Sequence, residues 1–126
     1  MKVILDTNFL IYCTNRKIDF IQEFERLFDM PEVVVPEQVV IELRMISEKG
    51  SGKESKAAAL ALEVIESLKS RARIKIVYSD EKEADKAILN LAGKDSVIAS
   101  FDKELKKAAH TSRFLRIKNK ALSIID

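Results

Sequence analysis

Short apolar runs alternate with amphipathic helical patterns along the whole chain, and this alternation limits the fold more than any other feature. Runs of β-branched and other apolar residues predict five strands, at residues 2–5, 33–35, 74–77, 97–99 and 114–117. Apolar residues spaced three and four positions apart predict helices at residues 8–14, 20–28, 36–47, 57–68, 80–92 and 102–109. This order favours an α/β domain with a mostly parallel sheet and helices on both faces. The apolar residues 121–125 favour neither type of element.

Local signals set several boundaries within this pattern. Asp80 followed by Glu83 predicts a capping box that opens the helix ending near Ala92. The Gly-Ser-Gly sequence at residues 50–52 predicts a loop. The helix at residues 57–68 is predicted to bury one face, made of Leu60, Val64, Ile65 and Leu68.

Composition excludes several classes of protein. With 126 residues, of which 47% are hydrophobic and 33% charged, the chain fits one globular domain and not a disordered segment. A net charge of +2 is too small to indicate a polyanionic partner by itself. Cys13 is the only cysteine, which excludes an internal disulfide and fits a reducing compartment. No apolar run approaches the roughly 20 residues of a membrane span, and the first 20 residues lack a signal-peptide layout. We therefore expect a soluble, cytoplasmic protein.

Four acidic residues stand at positions from which they could converge. Asp6 follows the first predicted strand, and Asp102 follows the fourth. In a parallel sheet both would lie beyond the carboxyl ends of the strands, where such sheets bind their ligands. Glu42 and Asp85 interrupt the apolar faces of two predicted helices. Convergent carboxylates bind Mg²⁺ or Mn²⁺, and a metal bound in this way activates water against phosphodiesters. The sequence therefore predicts a metal-dependent nuclease.

Each acid also has a simpler explanation when it is taken alone. Asp6 and Asp102 could cap helices, and Asp85 could lie near a helix N-terminus, where the helix dipole favours a negative charge. Glu42 could extend into solvent from the border of an apolar stripe. A shared cation explains all four together, because clustered carboxylates repel one another unless a cation neutralises them.

Four segments that contain these acids resemble the PIN-domain family. They are LDTNFL at residues 5–10, PEQVVIEL at 36–43, ADKAILNLA at 84–92 and SFDKEL at 100–105. The resemblance extends from residue 1 to about residue 117. The segments are most similar to the branch that includes ribosomal-RNA-processing endonucleases, followed by the VapC-type toxins of toxin–antitoxin pairs.

The resemblance implies a fold, an activity and a site. The fold would be a single PIN-like domain over residues 1–126, a three-layer α/β/α structure with a five-stranded parallel sheet of order 3-2-1-4-5. The activity would be Mg²⁺- or Mn²⁺-dependent hydrolysis of RNA. The residues matching the family's catalytic and metal-holding acids are Asp6, Glu42 and Asp85, with Asp102 acting through water. Asn8 and Ser100 match supporting polar positions. The family also suggests a homodimer, with an antitoxin or a ribosome-assembly factor as a further partner.

Lys86 departs from the family pattern, because many relatives carry a second acid directly after the third one. This lysine leaves the number of metal ions open. The resemblance to the family leaves three functions open. They are a ribonuclease acting in ribosomal RNA processing, a toxin ribonuclease, or a weakly active RNA-binding or assembly module, which the lysine favours.

Basic residues near the C-terminus form a second pattern. Lys103, Lys106 and Lys107 share one face of a predicted helix, and Arg113 and Arg116 follow. They are predicted to bind RNA phosphates, although an ordinary solvated surface would have the same pattern. No aromatic-rich platform for stacking bases is predicted. His110 is the only histidine, which excludes paired-histidine nucleases and argues against zinc.

Overall fold

The computed structural model describes residues 1–109 and 113–125, so His110 lies outside the described residues. Strands and helices alternate as the sequence predicts. The strands are β1 (Lys2–Leu5), β2 (Glu32–Pro36), β3 (Lys75–Val77), β4 (Ser96–Ala99), β5 (Arg113–Lys118) and β6 (Ala121–Ile125). The helices are α1 (Thr7–Asn15), α2 (Phe20–Leu27), α3 (Glu37–Lys49), α4 (Gly52–Ser70), α5 (Ala84–Leu91) and α6 (Lys103–Ala108). None of these helices has the length and apolar character needed to cross a membrane.

The strands form one sheet in the order β3-β2-β1-β4-β5-β6. The predicted order of the first five strands is confirmed, and those five strands are parallel to one another. The direction of strand addition reverses after β3. Right-handed crossovers around a sheet of this order place helices on both of its faces.

The predicted α/β fold is confirmed, but the sheet has one strand more than the five that were predicted. Residues Ala121–Ile125 form a sixth strand, which pairs antiparallel to β5. A two-residue turn joins the two strands, and both of its residues, Asn119 and Lys120, have positive φ values of 52° and 66°. Such left-handed turns match the twist of a hairpin. The sequence signal for this hairpin was weak, because Lys120 occupies the second position of the turn, where glycine is usual.

Strand β1 occupies the middle of the sheet and determines where the site lies. It pairs with β2 on one side and β4 on the other, and Val3, Ile4 and Leu5 are fully buried. Burial on both faces explains why this strand is an uninterrupted apolar run. Leu5 is aligned with Ala99, so the residues that follow β1 and β4 emerge side by side at the carboxyl edge of the sheet.

Two predicted helix features are wrong. The capping box does not form: α5 begins at Ala84, and Glu83 makes no side-chain capping bond. The preceding loop is held instead by buried Gln38, whose Nε2 donates to the carbonyls of Ser79 and Glu81 at 3.3 and 2.6 Å. In α4, Leu60 is 49% exposed, so it does not belong to the buried face. That face consists of Ala57, Ala58, Ala61, Ile65 and Leu68.

Candidate active site

Asp6 is a buried carboxylate at the carboxyl end of β1. Only 5% of the residue is exposed. One carboxylate oxygen accepts a hydrogen bond from the Thr7 backbone N–H at 2.8 Å, so the residue also caps α1. The other oxygen accepts a hydrogen bond from the Ser100 hydroxyl at 2.5 Å. These two bonds fix the orientation of the carboxylate.

Ser100 links the ends of the two central strands. Its hydroxyl donates to Asp6 and accepts from the Asp102 backbone N–H at 3.0 Å. Asp102 caps α6, because its Oδ1 accepts from the N–H groups of Glu104 and Leu105 at 2.9 and 3.4 Å. The capping roles considered for Asp6 and Asp102 are therefore both present. The Ser100 hydroxyl thus joins the Asp6 carboxylate to the backbone of Asp102.

Glu42 and Asp85 reach the same region from two helices. Glu42 lies in the middle of α3 and Asp85 in the first turn of α5, and both are exposed. Glu42, Asp85 and Asp102 line one cleft, together with Gln38 and Lys82. The structure thus brings acids from four separate parts of the chain to the carboxyl edge of the sheet.

The electrostatics of the acids show that they act on one another. Burial is the main reason that the pKa of Asp6 is raised above its ordinary value. Hydrogen bonds from Ser100 and Thr7 oppose this shift, while the negative charges of Asp85 and Glu42 add to it. Although Asp85 is exposed, partial desolvation in the cleft is the largest cause of its own raised pKa, followed by the charges of Asp102 and Glu83. Each negative charge therefore makes the ionised form of another more costly.

The acids do not form a finished set of metal ligands. Within residues 1–109 and 113–125, no three Asp, Glu, His or Cys side chains are close enough to hold an ion directly. The donors that are present are carboxylate oxygens, which hard divalent cations prefer. The donor chemistry and the mutual repulsion both fit such a cation with several water molecules remaining in its coordination shell.

Lys86 does not line the acidic cleft, but it pairs with Glu83, which does. Its Nζ lies 3.9 Å from a carboxylate oxygen of Glu83, and both side chains are largely exposed. The basic residue that does line this cleft is Lys82.

The structure separates the five predicted RNA-binding residues into two groups. Lys103, Lys106 and Arg116 line a cleft that also includes Ser100 and Asp102. The other two residues lie elsewhere. Lys107 is 3.9 Å from Glu104 on the exposed face of α6, and the Arg113 guanidinium lies 5.9 Å from the centre of the Phe28 ring.

Two aromatic residues stand beside the site, where the sequence pattern predicts no stacking platform. The rings of Tyr12 and Phe101 meet edge to face, with centroids 5.2 Å apart. Phe101 is 39% exposed. Asn8, predicted to support the site, accepts a hydrogen bond from the Phe101 backbone N–H at 3.3 Å. In the sequence, this aromatic pair is indicated by the position of Phe101, which lies between Ser100 and Asp102.

The protein thus has an α/β sheet of strand order β3-β2-β1-β4-β5-β6, with acids gathered where β1 and β4 end. These two features can be compared with known protein families. The family described as "PIN like domain" matches residues 3–118. The chain is also 38% identical over 111 residues to "Ribonuclease VapC4" of Methanocaldococcus jannaschii, a match covering 84% of this chain and 80% of the relative. The chain therefore belongs to the PIN-like domain family.

Two solved structures share this fold. The PIN domain endonuclease Utp24 superimposes with a TM-score of 0.76 at 23% identity, covering 98% of this chain and 90% of that one. A domain of a functionally unknown protein from Methanocaldococcus jannaschii superimposes with a TM-score of 0.64 at 21% identity, covering 99% and 98% of the two chains. At these identities, the likeness concerns the fold alone.

Proposed function

We propose that this protein is a metal-dependent endoribonuclease, a hydrolase that cuts RNA phosphodiesters with the help of Mg²⁺ or Mn²⁺. The observation that carries the proposal is the buried Asp6 carboxylate, which is held by Ser100 and faces the charges of Glu42 and Asp85. A buried carboxylate under this repulsion is stabilised by a cation. The ribonuclease relative that covers most of the chain supports RNA as the substrate.

Each site residue has a proposed role. Asp6, Glu42 and Asp85 would hold the ion, and Asp102 would reach it through water. When bound, such an ion lowers the pKa of a water molecule and stabilises charge on the phosphate. Ser100 keeps the Asp6 carboxylate in one orientation, as residues behind metal ligands commonly do. Glu42 or Asp85 would orient the attacking water, since both line the cleft at the carboxyl edge of the sheet.

The proposal is tested by incubating the protein with end-labelled single-stranded RNA and following the products on a gel. Internal cleavage is expected with Mn²⁺ or Mg²⁺ and should stop when EDTA removes the metal. Cleavage that continues at full rate in EDTA would contradict metal dependence. RNA binding with no cleavage under any metal would support the RNA-binding or assembly module instead.

A toxin ribonuclease is the second candidate, and the relative named VapC4 favours it. Its partner would be an antitoxin protein, in contrast to the ribosome-assembly partner of a processing enzyme. Expression of the parent chain should then arrest growth, and the Asp6→Asn variant should not. A homodimer in the cytoplasm fits both candidates, and the mass of the protein in solution tests the dimer.

The basic residues that line the cleft are proposed to bind backbone phosphates, and Lys107 provides a matched control. Lys106→Gln should weaken RNA binding and reduce the slope of log affinity against log salt by about 0.7 for each single-strand phosphate contact that is lost. Lys107→Gln makes the same chemical change one residue further along α6, outside the cleft, and should leave the slope unchanged. Salt titrations in Ca²⁺ measure both variants, and equal effects would mean that the lysines act only through net charge.

A further inference from the structure

Tyr12 and Phe101 form an aromatic ridge between two clefts. Both residues line the cleft that contains Lys103, Lys106 and Arg116. Both also line a neighbouring cleft that contains Asn8 and Glu42. The ridge therefore separates a basic cleft from one bordered by a proposed metal ligand. Phe101 is its more exposed ring, because the Arg16 guanidinium lies 4.8 Å from the centre of the Tyr12 ring.

The ridge is held in place before any ligand arrives. The Phe101 ring packs 5.7 Å from the ring of Phe9, which is fully buried and stacks on Phe24 at 6.1 Å. The backbone of Phe101 is fixed by its hydrogen bond to Asn8. A preorganised aromatic surface loses little conformational entropy when a ligand stacks on it, so more of the contact energy remains as affinity.

The ridge is also directly connected to the proposed catalytic group. Phe101 lies between Ser100, which donates to Asp6, and Asp102. A flat ligand stacked on Phe101 would therefore lie next to the residues that would act on a phosphate. The cationic side chains of Lys103, Lys106 and Arg116 are exposed around the same cleft, and none of the salt bridges within the described ranges includes them.

We propose that Tyr12 and Phe101 stack an unpaired nucleobase of the RNA substrate, while Lys103, Lys106 and Arg116 pair with the adjoining phosphates. This inference rests on the proposed ribonuclease function and adds to it a base-stacking subsite at Tyr12 and Phe101. Aromatic rings accept the exposed face of a splayed-out base, whereas both faces of a base inside a helix are already covered by its neighbours. The enzyme is therefore expected to cut within loops and unpaired segments.

The test uses a short RNA that carries one 2-aminopurine, a fluorescent base whose emission falls when it stacks. Binding is measured in Ca²⁺ to the parent chain and to Phe101→Leu, which keeps an apolar side chain but removes the ring. The parent should quench the emission, and the variant should bind at least about five-fold more weakly without the quenching. Phe101→Tyr keeps the ring and should restore both. Tyr78→Leu is the control, because Tyr78 is 65% exposed and lines neither cleft.

Cleavage of the same RNA in Mn²⁺ separates this inference from the proposed function. A parent that cleaves RNA, together with equal affinity and quenching for Phe101→Leu, would overturn the stacking site alone. Quenching that depends on Phe101, with no cleavage by the parent, would overturn the nuclease and leave the stacking site standing. Equal binding of the 2-aminopurine base in a duplex would overturn the choice of unpaired RNA. Melting curves verify that both Phe101 variants are folded.

Discussion

Asp6→Asn should lower the rate of RNA cleavage by at least about 100-fold, the size of effect seen when a preorganised group that stabilises the transition state is removed. Asparagine has nearly the same shape as aspartate, and its amide oxygen can still accept the Thr7 N–H bond. The substitution therefore removes the charge and leaves the strand and helix ends in place. Glu42→Gln and Asp85→Asn should also reduce cleavage, because each removes a carboxylate that is proposed to hold the ion.

Asp29→Asn is the matched control for this loss. It makes the same chemical change at an exposed aspartate that borders a cleft on another part of the molecule, beside Phe28 and Met30. Initial rates of cleavage at saturating Mn²⁺, with protein concentrations matched for folded material, measure both variants. An Asp6→Asn protein that cleaves as fast as Asp29→Asn would show that Asp6 is only a helix cap.

The elements could be predicted because they depend on local patterns, whereas the order of the first five strands followed from the resemblance to the PIN-domain family. Apolar runs and helical spacing identify the elements, and the rule that parallel strands carry their sites at their carboxyl ends places Asp6 beside Ser100. These residues lie 94 positions apart in the chain. The apolar run of β1 shows burial on both faces, and this indicates a central strand. The sequence therefore indicates where the candidate site lies, because it predicts which residues follow the carboxyl ends of the central strands.

The features that could not be predicted depend on side chains that are distant in the chain. Gln38 donates a hydrogen bond to the Glu81 carbonyl in the loop before α5, although the two residues are 43 positions apart in the chain. Tyr12 and Phe101 form a platform only because β1 and β4 are neighbours in the sheet. Composition gives no sign of this platform, since only 6% of the residues are aromatic. The spacing of residues within one segment cannot show which side chains from two different segments are in contact.

The pKa of Asp6 leads to a second large effect, which concerns stability. This pKa is raised from 3.8, mainly by burial, so the folded protein binds the Asp6 proton more tightly than the unfolded chain does. Well below pH 3.8 Asp6 is protonated in both the folded and the unfolded state, so its titration makes no difference to the free energy of unfolding there. As the pH rises from there through the folded-state pKa, the unfolded chain ionises first and stability is lost. Asp85 has a raised pKa and contributes with the same sign.

Without metal, the Asp6→Asn variant should therefore be more stable than the parent chain. With metal bound, the parent chain should be the more stable of the two. In EDTA at neutral pH the variant should melt a few degrees above the parent, because it lacks the buried charge, and this gap should close as the pH falls below 3.8. In Mn²⁺ the parent should gain about 2.7 kcal/mol at an ion concentration 100 times its dissociation constant, and the variant should gain far less. Thermal unfolding across pH, with and without Mn²⁺, measures both effects, and Asp29→Asn should follow the parent throughout. A parent chain with the same melting temperature in EDTA and in saturating Mn²⁺ would mean that the four acids do not share a cation, because ion binding to the folded state must raise its stability.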